Sequence, residues 1–198
     1  MKIFLFDIGN VLVNYDLNTL YAKLSADAGV SELSPQDWKM HDAAERGEIS
    51  DAQYVDYLNK TYRMNWSVET LIQIWQDTFR IQETGRALFL KAIERGIPVY
   101  TLSNIADHHI AAIERNWPGF FDGATGLFYS YKVGARKPDQ EIYRRALNAL
   151  QTPAEQCFFI DDLADNVAAA RAAGINAVQF VPENFAEIKT VFRSFETE

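Results

Sequence analysis

Near its N-terminus the chain runs Lys2-Ile3-Phe4-Leu5-Phe6-Asp7-Ile8-Gly9-Asn10-Val11. Ile3 to Phe6 predict a strand buried on both faces, because such strands carry near-continuous apolar runs instead of alternation. Gly9 and Asn10 then punctuate the chain. In open α/β sheets ligands bind outside the carboxyl ends of the strands, which places Asp7 where chemistry is done. Unpaired carboxylates are almost never buried, so an acid at that point reads as a working group, not as core.

Further along the chain, Gln156-Cys157-Phe158-Phe159-Ile160 is another short apolar run, and it ends in Asp161-Asp162 with Asp165 and Asn166 close behind. Two strands that bring carboxylates to one sheet edge concentrate negative charge. Neighbouring carboxylates raise each other's pKa unless a cation neutralises them. Hard oxygen donors of this kind suit Mg²⁺, which is commonly shared with substrate phosphate. Asp165 fits equally well as an acid at the start of the following helix. A third run, Ile97-Pro98-Val99-Tyr100-Thr101-Leu102, ends in Ser103-Asn104 before a helix beginning near Ala106. Hydroxyl, amide and helix N-terminal N–H groups together make an anion site. Gly134-Ala135-Arg136-Lys137-Pro138-Asp139 then opens another helix with Pro138 in its first turn. Lys137 there would aim a compact positive charge at a phosphate. Taken singly, Ser103 also reads as an N-cap and Lys137 as a solvated lysine.

The order of these pieces resembles the haloacid dehalogenase-like hydrolase superfamily, whose four motif regions are matched in sequence from Asp7 to Asp165. The chain is similar to the bacterial α-D-glucose-1-phosphate phosphatase branch in its Asp-x-Gly-Asn-Val opening. It shares that branch's Glu-Arg-Gly-Glu-Ile-Ser stretch at Glu45 to Ser50, and its Arg-Lys-Pro followed by Ile142-Tyr143. The resemblance implies an α/β fold, a Rossmann-like parallel sheet of order 5-4-1-2-3, with an inserted four-helix cap. It implies Mg²⁺-dependent hydrolysis of a small phosphorylated metabolite, a sugar phosphate such as glucose 1-phosphate, through an aspartyl-phosphate. On that pattern Asp7 is the nucleophile and Asp7, Asp162 and the Gly9 carbonyl hold the ion. Asp161 orients metal-bound water or Lys137 from behind the metal site, and Ser103, the Asn104 region and Lys137 hold the phosphate oxygens.

One departure from the family pattern matters. Most family phosphatases carry a second aspartate two residues after the nucleophile, which protonates the leaving group; here that position is Gly9. A general acid contributes about 10²–10⁴-fold. Asp16 or the cap residue His41 is a candidate replacement, and an anomeric leaving group would suffer least from the loss. Arg46 is a candidate for touching substrate, though a cation near a helix C-terminus needs no further role. Two rivals stay open: a 2-haloacid dehalogenase-type hydrolase, separated by a strict Mg²⁺ requirement, and a non-catalytic binding protein with the same fold.

Composition bounds the rest. The chain has 198 residues, 48% of them hydrophobic, enough for one α/β domain with a modest insertion. A net charge of −8 argues against nucleic acid or an anionic membrane as partner. The one cysteine, Cys157, lies in an apolar run and reads as inert core, and a lone cysteine is consistent with a reducing cytoplasm. No stretch approaches the ~18 apolar residues of a membrane span. A soluble cytoplasmic monomer or weak homodimer is expected.

Asn14 to Phe79 reads as the cap, leaving 1–13 and 80–198 as the core. It holds helices over Leu17 to Ala28, from Ser34-Pro35 to Gly47, from Ser50 to Arg63, and one capped by Ser67. Trp38, Trp66 and Trp75 are candidates for stacking on a sugar, but at helical spacing they are expected in the core of this bundle. The remainder predicts a helix over Glu83 to Arg95, a strand over Pro98 to Leu102 and a helix over Ala106 to Asn116. A strand over Leu127 to Ser130, a helix over Pro138 to Leu150 and a strand over Gln156 to Ile160 follow. The last elements are a helix over Ala164 to Ala173, a strand over Ala177 to Val181 and a terminal helix. His108 and His109 are expected at the surface, since adjacent helical residues point in different directions.

Overall fold

The computed structural model describes residues 2–194. Ile3–Phe6 forms the central strand β1, buried along its whole length. The other core strands are β2 (Val99–Ser103), β3 (Gly126–Tyr129), β4 (Cys157–Asp161) and β5 (Asn176–Gln179). All pair in parallel, in the lateral order β3-β2-β1-β4-β5, which is the expected 5-4-1-2-3 read from the other edge. Phe6 pairs with Thr101 on one side and Ile160 on the other. That register brings the carboxyl ends of β1, β2 and β4, and with them Asp7, Ser103 and Asp161, to one edge.

Between the two-residue strands Val13–Asn14 and Arg80–Ile81, which pair antiparallel, lie four helices. They are α1 (Asn18–Ala28), α2 (Pro35–Glu45), α3 (Asp51–Tyr62) and α4 (Val68–Thr78). Ser34, Ser50 and Ser67 each accept a backbone N–H from the third residue of the helix they cap, as their sequence contexts predict. After α2 the chain reverses at Gly47, whose φ is +71°. A Cβ there would meet the Tyr131 carbonyl oxygen at 2.2 Å, so only glycine fits.

The remaining helices are α5 (Glu83–Glu94), α6 (Asp107–Asn116), the single turn α7 (Ser130–Val133), α8 (Gln140–Leu150), α9 (Ala164–Ala172) and α10 (Phe185–Ser194). Each sheet face has its own apolar cluster. Phe4, Phe6 and Phe89 continue into Leu24, Leu58, Leu71 and Trp75 of the inserted helices. Ile3, Leu5 and Phe159 pack with Ile142 and Tyr143 on the opposite face. Each fully buried phenylalanine contributes roughly 2–3 kcal/mol of burial. Cys157 is buried, and burial pushes its thiol up to about 11, in keeping with inert core.

Two boundaries differ instructively from expectation. Pro138 is not in the first turn of α8, because the Asp139 N–H closes a turn onto the Arg136 carbonyl at 3.0 Å and the helix begins only at Gln140. Strand β5 stops at Gln179 and not at Val181, because the Phe180 N–H makes the last ladder bond, to the Asp161 carbonyl at 2.8 Å, and the Val181 N–H then turns back onto the Gln179 carbonyl at 3.0 Å. Among the described residues no helix is long and apolar enough to cross a membrane.

Candidate active site

The Asp7 N–H donates to the Ile160 carbonyl at 3.0 Å, so the sheet ladder itself fixes the residue at the end of β1. The loop before α8 delivers Lys137, whose Nζ lies 2.8 Å from Asp7 Oδ1 and 2.5 Å from Asp161 Oδ2. The Asp7 contact is short but poorly aligned, and leaves that buried oxygen without a hydrogen bond. Asp161 is held on every side: its Oδ1 accepts the Leu163 N–H at 2.9 Å, and Asn166 Nδ2 reaches both oxygens at 3.0 and 3.1 Å. Asp162 accepts from Asn10 Nδ2 at 3.0 Å, across a loop in which Asn10 takes a left-handed φ of +54°.

Burial holds the Asp7 carboxyl well above its usual range, at about 7; Lys137 opposes that rise, and Asp161 and Asp162 add to it. For Lys137 burial works against the charge, but Asp161 and Asp7 outweigh it and hold the ammonium above its ordinary value. Asp162 is raised as well, chiefly by burial. Carboxylate oxygens of Asp7, Asp161 and Asp162 lie within 4.8 Å of one another. One lysine cannot balance three carboxylates. Because Asp161 is already saturated, Asp7 and Asp162 keep the free capacity, and this oxygen donor set fits a hard divalent cation such as Mg²⁺.

Asn104, expected on substrate, lines the cavity and also clamps Lys137: its Oδ1 accepts the Lys137 N–H at 2.7 Å and its Nδ2 donates to the Lys137 carbonyl at 2.8 Å. Ser103 lines the cavity beside Asp7. That cavity, about 240 Å³, runs from Asp7 up to the inserted helices, with Trp38, Trp75, His41 and His109 in its wall. Larger clefts of about 540 and 570 Å³ lie elsewhere, but neither is lined by any of these acids.

Trp38 and Trp75 therefore face the cavity, and only Trp66 is pure bundle core, with its indole N–H on Asp27 at 2.7 Å. Arg46 is not in the cavity wall and lies 3.6 Å from Asp139. Arg136 is in the wall instead, pairing with Asp42 at 2.9 Å and Glu45 at 2.7 Å. Nothing in the motif Arg136-Lys137-Pro138 distinguished the arginine from its neighbour. Asp16 also lies outside the wall, accepting the Asn18 N–H at 2.8 Å where α1 begins. Tyr15 takes the space beside Gly9: a Cβ on Gly9 would meet its ring at 3.1 Å.

His108 and His109 overturn the surface expectation, being 0% and 4% exposed. Both are covered because α4 lies across α6, with the Trp75 ring 4.2 Å from that of His109, while Asp51 at the start of α3 takes His108 Nδ1 at 2.7 Å. The adjacency argument fails when two neighbouring elements cover adjacent faces.

The model of the haloacid dehalogenase-like hydrolase family matches residues 1–174. Sesquiterpene phosphatase astK of Aspergillus oryzae is 28% identical over 88% of this chain and 87% of its own length. D-ribitol-5-phosphate phosphatase of Bacteroides thetaiotaomicron is 22% identical over 94% of each. Drimenol cyclase drtB of Aspergillus calidoustus is 28% identical over 91% of this chain, which spans only 34% of that longer protein. The structure of the HAD family enzyme bt-2542 of Bacteroides thetaiotaomicron, with magnesium and inorganic phosphate, superposes with a TM-score of 0.81 at 23% identity. It covers 95% of this chain and 98% of the other, a likeness of fold.

Proposed function

We propose that this chain, which belongs to the haloacid dehalogenase-like hydrolase family, is a phosphomonoester hydrolase acting on a small phosphorylated metabolite. The observation that carries this is the buried Asp7–Lys137–Asp161 cluster with Asp162 beside it, at the carboxyl edge of the sheet. Phosphatases among the relatives support it, and from the Glu45 to Ser50 and Arg136-Lys137-Pro138 stretches we infer a sugar phosphate such as glucose 1-phosphate as substrate.

Asp7 attacks phosphorus, the bond to the leaving oxygen breaks, and an aspartyl-phosphate forms; water then attacks that phosphorus and frees Asp7 and inorganic phosphate. Mg²⁺, held by Asp7, Asp162 and the Gly9 carbonyl, would neutralise the carboxylates facing the phosphate and polarise a phosphoryl oxygen. Lys137, with Ser103, holds the non-bridging oxygens where transition-state charge needs stabilising. Asp161 and Asn104 act through Lys137 as positioning residues, one at the ammonium and one at the backbone. Residues 14–79 serve as a cap that excludes water from the cavity. With glycine at position 9 the leaving group has no acid from β1, so esters with better leaving groups, such as anomeric ones, are favoured.

Phosphate release from a panel of sugar phosphates, with Mg²⁺ and with EDTA, tests this. Magnesium-dependent release that disappears in Asp7→Asn is expected. Turnover of 2-haloacids without metal, or no release from any ester, would refute it.

A further inference from the structure

Three histidines meet where the inserted helices sit on α6, and the reaction leaves them unused. Ligand nitrogens of His41, His108 and His109 lie within 4.8 Å of one another. The Nε2 atom of each is buried and has no hydrogen-bond partner. A buried polar group without a partner is uncommon enough to require a reason.

For His108 and His109 the hydrogen-bond partner of Nδ1 fixes what Nε2 offers. His109 Nδ1 accepts the Ala106 N–H at 3.1 Å, so its ring proton sits on Nε2 and that atom is a donor. His108 Nδ1 lies 2.7 Å from the Asp51 carboxylate, which accepts its N–H, so the ring proton sits on Nδ1 and His108 Nε2 is left an acceptor. His41 Nδ1 has Glu45 at 4.0 Å, beyond hydrogen-bond reach, and the nearby carboxylate favours the ring proton on that side by charge alone. A metal held by three imidazoles is thereby disfavoured, since His109 has already given its lone pair to the backbone. Of the three, His41 and His109 line the cavity that starts at Asp7, while His108 stands behind them.

We infer that His41 and His109 form a hydroxyl-reading subsite, with His109 Nε2–H donating to, and His41 Nε2 accepting from, a hydroxyl on the leaving group of the ester. The inference rests on the phosphatase reading and narrows its substrate to phosphates of polyols and sugars. The Trp38 and Trp75 rings in the same wall suit the C–H faces of such a molecule. Both histidines are held below their ordinary pKa, by burial first, so both are neutral near pH 7 and each presents one donor and one acceptor. An aliphatic ester leaves both nitrogens unpaired, whereas a hydroxylated one satisfies them. Sites built this way reject the analogue that lacks the hydroxyl, here by on the order of tenfold or more.

The test compares kcat/KM for D-ribitol 5-phosphate, glucose 1-phosphate, n-pentyl phosphate and p-nitrophenyl phosphate in the wild type, His109→Asn and His41→Phe. His109→Asn keeps an acceptor for the Ala106 N–H, and His41→Phe lies on a different element, so one variant stands if the other misfolds. The wild type is expected to prefer a hydroxylated ester over pentyl phosphate by at least tenfold. In each variant kcat/KM should fall at least tenfold further on that ester than on p-nitrophenyl phosphate. Equal losses on all four esters, or a wild type indifferent to hydroxyls, would overturn the subsite. A wild type that hydrolyses none of them, p-nitrophenyl phosphate included, would instead refute the phosphatase reading beneath it.

Discussion

Lys137 is the residue on which the site turns electrostatically. It is 2% exposed, and its ammonium lies between two carboxylates on different strands. A buried charge loses its solvation, so removing one partner costs far more than the net worth of the pair. Lys137→Ala is expected to lower phosphatase kcat by about 10²–10³-fold through loss of charge stabilisation. It should also destabilise the metal-free protein by roughly 3–5 kcal/mol at neutral pH, read by urea unfolding. Retained activity with lowered stability alone would make the lysine structural. Asp7, Lys137 and the Asp161-Asp162 pair were all legible in the sequence, because each ends a strand or opens a loop at the sheet edge. The clamp by Asn104 was not, since it joins two segments 33 positions apart.

Among the elements, those whose signals are local are the ones that sequence predicts well. Serine caps and apolar runs carry their own cause, and the elements they mark lie within a few residues of expectation. The burial of α6 has no local cause. It comes from α4, and it turns His108 and His109 from a surface pair into cavity and core. Position 47 links these levels, for its glycine both ends α2 and lets that end approach Tyr131. Gly47→Ala is expected to cost more than about 1 kcal/mol through the left-handed φ and the contact together. A lowered Tm in calorimetry would register it, and an unchanged Tm would mean that the Tyr131 turn yields freely.

At the scale of the whole molecule, burying neutral histidines ties stability to pH. His109 is held well below its ordinary pKa, chiefly by burial, so below pH ~6.5 the unfolded chain binds a proton that the folded one refuses. Its contribution is therefore fully present above pH ~6.5 and is lost as pH falls towards the folded value. Buried Asp7 shifts the opposite way, so the histidine term is isolated by difference. The wild type should lose more stability between pH 7 and pH 5 than His109→Asn does, measured by denaturant titration at each pH. Equal losses would place the histidine in contact with water.

The nucleophilic role of Asp7 underlies every other assignment at the site. Rapid acid quench of p-nitrophenyl phosphate turnover, followed by peptide mass mapping, tests it most directly. A phosphoryl group on the peptide carrying Asp7, absent from Asp7→Asn, is expected. Undiminished turnover by Asp7→Asn, or a phosphoryl group trapped on any other residue, would contradict it.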